Sequence, residues 1–380
     1  MCADTYTEVS KQSWFSRLGG AVKGILGGLL LIIVAFPLLF WNEGRAVKRY
    51  KTLQEGAGAV ISVSCDSVDQ NNSGKLVHMT GLAQTEEMLT DPVFGVSRKA
   101  IKLRRSVEMY QWDEDAESRT KKKMGGGTET VTTYTYKKVW SESLIDSGKF
   151  RQSGHDNPGA MTYQTYELVA QSVTVGAFSL STSLIAKIRA YSAVNPAEGE
   201  GPADSAAIRR QPGGFYIGAD PATPQIGDLR VAFSAVEPQV ISLVSGQQGV
   251  SFEPYVTKNG GTIQLLQIGE VSEDEMFLTA QRHNKMLTWA LRAGGFLLML
   301  FGFSMVFKLL SVLGDVVPVL GSIIGAGTGL IALLLSLALS SVTIAAAWIF
   351  YRPLLGVALL ALTVGLALLI RRKMAAARPD

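Results

Sequence analysis

The two ends of this 380-residue chain are almost free of charge, and that pattern constrains its fold more than any other feature. Ile25 to Trp41 (ILGGLLLIIVAFPLLFW) and residues 289–370 hold few ionisable side chains, whereas the stretch between them carries most of the Asp, Glu, Lys and Arg. In hydrocarbon every backbone N–H and C=O must be satisfied internally, so such ends are read as helices. A helix rises about 1.5 Å per residue and must cross about 30 Å, so about 20 mostly apolar residues make one crossing. The split predicts membrane at both ends and a water-folded domain between them.

The first stretch, 24–41, spans if Lys23 snorkels and Trp41 sits among headgroups. It is followed by the bulky, polar WNEGRAVKRYK and not by a small-residue cleavage site, so it reads as a retained anchor. The second, 286–313, has Trp289 at its edge and requires Arg292 and Lys308 to reach outward to the interfaces. Residues 316–351 carry no charge, too long for one perpendicular crossing and too short for two with a turn. One span with an interfacial lead-in is expected, broken in the glycine-rich PVLGSIIGAGTG, where Pro318 favours a helix start. Tyr351-Arg352-Pro353 reads as a tight hairpin, and 353–370 as a fourth span ended by Arg371, Arg372 and Lys373.

The expected fold class is thus a multi-pass α-helical membrane protein, one span before and three after a large β-rich α+β extramembrane domain at 42–285. Residues 1–23 and 371–380 become cytoplasmic tails, with Lys11, Arg17, Lys23, Lys308 and the terminal cluster obeying the positive-inside tendency. Arg45, Lys48, Arg49 and Lys51 follow the first span on the other side and dilute that bias.

Within the domain, NEGRAVKRYKTLQEG is expected to continue the first helix. AIKLRRSVEMYQW sets Ile101, Leu103, Val107 and Met109 on one face, and TETVTTYTYKKVW does so for Tyr134, Tyr136 and Trp140, the period of strands. DEDAESRTKKKMGGG between them reads as a charged hairpin loop. GAVISVS, KLVHMTG, DLRVAFS, QVISLV and TIQLLQI are further strands, LSTSLIAKIRAYS a short helix, and NPAEGEGPADSAA a surface loop or subdomain boundary. Ser272 followed by three acidic residues predicts an N-capped helix running unbroken into the second span. Asn71-Asn72-Ser73 fits a glycosylation sequon.

Signals for chemistry are sparse. Cys2 and Cys65 are the only cysteines, and His78, His155 and His283 have no partner at metal-ligand spacing. No phosphate loop or nucleophile elbow occurs, and the basic residues form no run suited to nucleic acid. The reading assigns no catalytic, cofactor-binding or metal-binding residue, though carboxylates distant in sequence can converge. Gly20, Gly24 and Gly28, like Gly321, Gly325 and Gly329, recur every fourth residue, a stripe that lets helices pack closely within or between subunits. The spans have no ionisable residue at their centres, which argues against ion-coupled transport and leaves a passive pore lined by Ser336, Ser340, Ser341 and Thr343 open.

Several stretches in order, NEGRAVK with LQEG, DPVFGV, KLRRSVEMYQW, GHDNP, GDLRVAFS, WALRAGGFLLML and AAAWIFYRPL, make the chain resemble the LUMA family, transmembrane protein forty-three. The resemblance implies four spans, cytoplasmic termini and a lumenal domain or its bacterial equivalent. It also implies self-association and, for eukaryotic members of the endoplasmic reticulum and inner nuclear membrane, binding to nuclear-envelope proteins such as emerin and lamins. The loop and tail lengths suggest a compact, bacterial-type member, for which the inner membrane and periplasm replace those compartments. It implies no catalytic residues. The functional expectation is a non-enzymatic membrane scaffold, a homo-oligomer contacting membrane lipid and unidentified protein partners, with a channel or channel modulator, or a lipid-binding or enzymatic domain, as the competing readings.

Overall fold

The structure, a computed structural model, describes residues 4–201 and 208–353. It divides into two compact units. One is β-rich, made of Met1–Glu8, Glu55–Arg119 and Val131–Leu278; the other is helical, made of Val9–Gln54, Thr120–Thr130 and Thr279–Asp380.

In the β-rich unit two sheets contribute to one hydrophobic core. The first sheet contains β1 (Asp4–Gln12), β3 (Lys102–Lys122), β4 (Thr128–Ser141), β5 (Tyr166–Val169), β6 (Gly214–Ile217) and β7 (Leu229–Val236). Its order runs β1-β4-β3-β7-β6, with β5 also on β3. The second centres on β2 (Leu76–Gln84) against β8 (Gln239–Gln248), with β9 (Leu265–Ile268) on the far side of β8. The period of two decides what faces inward. Leu103, Arg105, Val107, Met109 and Gln111 of β3 are buried on one face, and β3 pairs with β7 so that Val107 lies opposite Val231. Leu243 of β8 lies opposite Met79 of β2, and both enter the same core.

Several local expectations shift. DEDAESRTKKK is not a loop: β3 continues to Lys122, leaving only a turn at Lys123–Gly127. Continuous charge hides a strand from a search for apolar alternation, yet cross-strand hydroxyl pairs, Ser118 with Thr132 at 2.9 Å and Thr120 with Thr130 at 2.8 Å, stitch it. The turn needs Gly125 and Gly126 in the left-handed region, φ 83° and 78°. Residues 4–12, read as tail, form β1, because DTYTEVSKQ is rich in Thr, Tyr and Val despite lacking an apolar face. GAVISVS contributes only Ile61–Ser62, and the short helix is one turn, α2 (Thr182–Ile185).

In the helical unit, α1 (Trp14–Ala57), α3 (Glu273–Gly314) and α4 (Pro318–Tyr351) are each long and apolar enough to cross a membrane. α1 carries on past the apolar stretch through NEGRAVKRYKTLQEG, and α3 starts on Ser272, whose Oγ accepts from the Glu275 amide at 3.4 Å, with Glu273, Asp274 and Glu275 in the first turn. α4 has no break in its glycine-rich start. The interruption falls earlier, at Asp315–Val317, and Pro318 opens the helix, since glycine costs a helix about 1 kcal/mol and is not itself a stop. Of the expected fourth span only Pro353 is described; the rest, with Arg371, Arg372 and the C-terminal tail, lies outside the described residues.

Helix packing in this unit turns on glycine. A Cβ added to Gly28 would sit 2.6 Å from the Gly302 carbonyl oxygen, and one added to Gly302 would sit 2.7 Å from that of Gly28. Backbones of α1 and α3 therefore touch where any side chain would force them apart. Leu39 likewise fills the space that a Cβ on Gly295 would take.

Candidate functional site

The most elaborate polar arrangement in the helical unit gathers three helices on one carboxylate. Glu43 of α1 is fully buried, with 0% of its side chain exposed. Arg292 of α3 donates from Nε to Glu43 Oε1 at 2.6 Å and from Nη2 to Oε2 at 2.8 Å, and Trp348 of α4 donates from Nε1 to Oε2 at 2.8 Å. The guanidinium lies near the Trp289 and Trp348 rings, 4.8 and 5.6 Å from their centroids. One turn away, Asn42 Nδ2 donates to the Thr288 carbonyl at 3.1 Å, Arg45 donates to Asn284 Oδ1 at 3.0 Å and Thr288 Oγ1 at 3.0 Å, and Asn284 Nδ2 donates to the Ala46 carbonyl at 3.0 Å. An ion is expensive in a dry setting unless charge and hydrogen bonds are both matched. Here both Glu43 oxygens are met.

A second cluster caps the other end of the same helices. Asp315, between α3 and α4, receives Arg17 Nη2 at 2.5 Å and Lys122 Nζ at 2.6 Å. Arg17 also donates to the Gly126 carbonyl, and Trp14 Nε1 donates to the Val312 carbonyl at 2.8 Å. Burial pushes the Asp315 carboxyl upward, but the hydrogen bonds from Lys122 and Arg17 outweigh it and hold the group below the usual carboxylate range. Arg17 and Glu43 are 26 residues apart on α1, about 39 Å of helix, close to the roughly 40 Å of a bilayer with its headgroups.

The sequence-picked glycines and anchors fall in different settings. Gly28 makes the backbone contact with α3, and a Cβ on Gly24 would stand 4.0 Å from Met305, whereas one on Gly20 would meet nothing within 4 Å among the described residues. A Cβ on Gly321 would meet Asp315 and one on Gly325 would meet Ser311, while one on Gly329 would meet nothing within 4 Å among the described residues. Lys23, Trp41, Trp289 and Lys308 are exposed; Arg352 lies 6.0 Å from the Trp348 ring. Arg292, expected to reach an interface, is held by Glu43. Sequence reasoning missed Glu43 and Trp348 because nothing local pairs them with Arg292. Ser336, Ser340 and Thr343 are buried with their hydroxyls donated to carbonyls of α4 itself, and only Ser341 of that group is exposed.

In the β-rich unit, Asp91 and Arg105 form a buried fork: Arg105 Nη1 reaches both carboxylate oxygens at 2.7 and 2.8 Å, and Asp91 Oδ1 also accepts the amides of Val93 and Phe94. Arg105 shares the inward face read as Ile101, Leu103, Val107 and Met109. A cation at an inward position of a period-two strand was the available signal for a buried partner. His78 contacts Ser62 Oγ at 3.2 Å and Glu273 Oε2 at 3.3 Å, both through Nδ1, while Nε2 meets the Val271 carbonyl at 2.9 Å. A nucleophile relay needs serine and carboxylate on opposite ring nitrogens, so this is a clasp between strand and helix. His155 is stacked on Tyr136, centroids 3.9 Å apart, and its Nε2 meets Asp4 at 2.9 Å; Arg151 Nε donates to Glu8 at 2.7 Å, so β1 is tied to this unit by a histidine–carboxylate hydrogen bond and an ion pair. Among the described residues no three His, Cys, Asp or Glu side chains are placed to hold a metal ion.

A family model described as transmembrane protein 43 matches residues 109–353. Transmembrane protein 43 of Mus musculus is 37% identical over 360 residues, 92% of this chain and 89% of that protein. The Homo sapiens protein is 37% identical over 357 residues, covering 91% and 88%. The Drosophila melanogaster homolog is 34% identical over 347 residues, covering 88% and 90%. No solved structure matches. With relatives this similar along nearly the whole length, the chain belongs to the transmembrane protein 43 family.

Proposed function

We propose that the chain is a non-enzymatic membrane scaffold: a helical anchor that self-associates and holds a β-rich domain out to protein or lipid partners. The observation that carries this reading is the convergence of α1, α3 and α4 on Glu43. A transporter keeps intramembrane charge available to a cargo, whereas this carboxylate is consumed by Arg292 and Trp348 in fastening helices to one another. Beside it, both terminal nitrogens of Arg45 and the amide of Asn284 are bonded between α1 and α3, and the clasp at His78 does not have the layout of a hydrolytic relay.

In the proposed arrangement 24–41, 286–313, 316–351 and 353–370 each cross once, with both tails cytoplasmic and the β-rich domain lumenal, or periplasmic in a bacterium. Its support is the length and apolarity of the three described helices and the two ionic clusters that bracket them. Self-association is supported by Gly20 and Gly329, where an added Cβ would meet nothing within 4 Å among the described residues, while Gly28, Gly321 and Gly325 of the same stripes lie against neighbours.

Cross-linking of the full-length protein in nanodiscs, with mass photometry of the intact particle, tests the scaffold. A discrete oligomer is expected. A strictly monomeric particle, or single-channel current from the purified protein in a planar bilayer, would replace it with a different function.

A further inference from the structure

A cavity of about 440 Å³ opens beside the first sheet of the β-rich unit, lined by Lys102, Arg104, Glu167, Val169, Thr182, Ala186, Arg189 and Tyr191. Its construction leaves positive charge under-neutralised. Lys102 is 4% exposed, and its Nζ donates to the Ala186 carbonyl at 3.2 Å, which uses one of three N–H groups. Arg189 Nε donates weakly to the same carbonyl at 3.4 Å. Arg104 lies opposite Glu167 across β3 and β5, with its nearest ion-pair contact an exposed Glu142 at 3.7 Å. The one carboxylate in the lining, Glu167, is engaged by the Tyr191 hydroxyl at 2.6 Å. Three cations therefore face one carboxylate across a concave surface.

Burying an ammonium costs free energy unless an anion is near. Desolvation indeed lowers the affinity of Lys102 for its proton, with Glu167 opposing the effect. Something that brings two negative charges and several acceptor oxygens would relieve that cost, and guanidinium groups match the oxygens of phosphate in fork geometry. The space exceeds what one phosphate needs, given roughly 30 Å³ for a water molecule. We propose that this cavity is a binding site for a phosphate group, free or as a monoester, in which Lys102, Arg104 and Arg189 hold the phosphoryl oxygens and Tyr191 borders any attached group. Such a site is independent of the helix packing that carries the scaffold reading. Free phosphate and a phosphorylated lipid headgroup share this chemistry.

The full-length protein in detergent, titrated calorimetrically with inorganic phosphate, with dioctanoyl phosphatidylinositol phosphate and with dioctanoyl phosphatidylcholine, separates the sources. Saturable binding of the phosphoinositide at least about ten-fold tighter than of inorganic phosphate assigns a lipid headgroup; equal affinity assigns the free anion. In either case Lys102→Met and Arg189→Ala should each weaken binding about ten-fold, the loss of one charge-assisted contact, while Lys99→Ala should not. Should Lys102→Met fail to fold, Arg189→Glu, at an exposed position, decides alone. No saturable binding of either phosphate probe, binding as strong to phosphatidylcholine as to the phosphoinositide, or binding unchanged in Arg189→Glu overturns the site.

Discussion

Arg292 turns Nε and Nη2 onto the two oxygens of Glu43 across 249 residues of sequence, so one guanidinium joins the first helix to the third. The pair is buried, and its worth shows on breaking it. Arg292→Met leaves a carboxylate with only the Trp348 indole, at a cost of about 3–5 kcal/mol. Glu43→Leu with Arg292→Met removes both charges and should regain most of that loss. Thermal unfolding in detergent of the singles and the double gives the coupling. Additive effects would mean that the two side chains do not act as a pair.

Glycine substitutions separate packing inside one chain from packing between chains. Gly302→Val puts a Cβ onto the Gly28 carbonyl and should lower stability by about 1–3 kcal/mol, the usual range for overpacking. Gly329→Val meets nothing in the described chain. It should leave the unfolding midpoint of dilute protein within error and reduce the cross-linked oligomer. Unchanged cross-linking would remove the α4 stripe from the association surface.

Glu200 sets an acid limb on the stability of the β-rich unit. Burial raises its carboxyl, but hydrogen bonds from the Ser97 and Ala197 amides, then from Arg98, bring it below the usual value. A carboxyl depressed in the folded state stabilises fully above its unfolded pKa of about 4.5, and that contribution is lost as pH falls through the folded value. Glu200→Gln should lower stability at pH 7 and flatten the acid limb that begins near pH 4.5 and continues downward through the folded value, because protonation then has one fewer group to act on. Parallel acid limbs for the two proteins would show that Glu200 does not contribute.

Much of this architecture was legible because it rests on periodic features. Hydrocarbon length picked out α1, α3 and α4, and alternation picked out the inward face of β3. Side chains paired across long sequence separation were hidden. Arg105 interrupts an apolar face without announcing Asp91 as its partner, and Arg292 looked like a snorkelling residue because Glu43 lies in a stretch read as belonging to water. The stretches that carried the family resemblance nonetheless hold these residues: NEGRAVK has Glu43 and Arg45, DPVFGV and KLRRSVEMYQW have Asp91 and Arg105, WALRAGGFLLML has Arg292, and AAAWIFYRPL has Trp348. The charged end of β3 was missed for the opposite reason. Strand pairing there depends on backbone and hydroxyl groups that composition does not weigh.

The pairing of β1 makes sidedness testable at two residues. Asp4 is hydrogen-bonded to His155 and Glu8 is ion-paired to Arg151 of the β-rich unit, which asks for one compartment. A single crossing by α1 puts residues before 24 and after 41 in two. Both hold together only if the polar strands are carried past hydrocarbon inside protein, since lipid cannot satisfy an exposed strand edge. Lys11→Cys and Val250→Cys, each placed singly in a background without Cys2 and Cys65, report the two sides, both sites being exposed. With an impermeant maleimide added to sealed vesicles, the four-crossing arrangement requires that the two label from opposite faces. Glycosylation at the exposed Asn71 in microsomes, with none at a sequon grafted at residue 11, would agree with it. Labelling of both cysteines from one face would overturn the crossing by α1 and make the β1 contacts the true guide to topology.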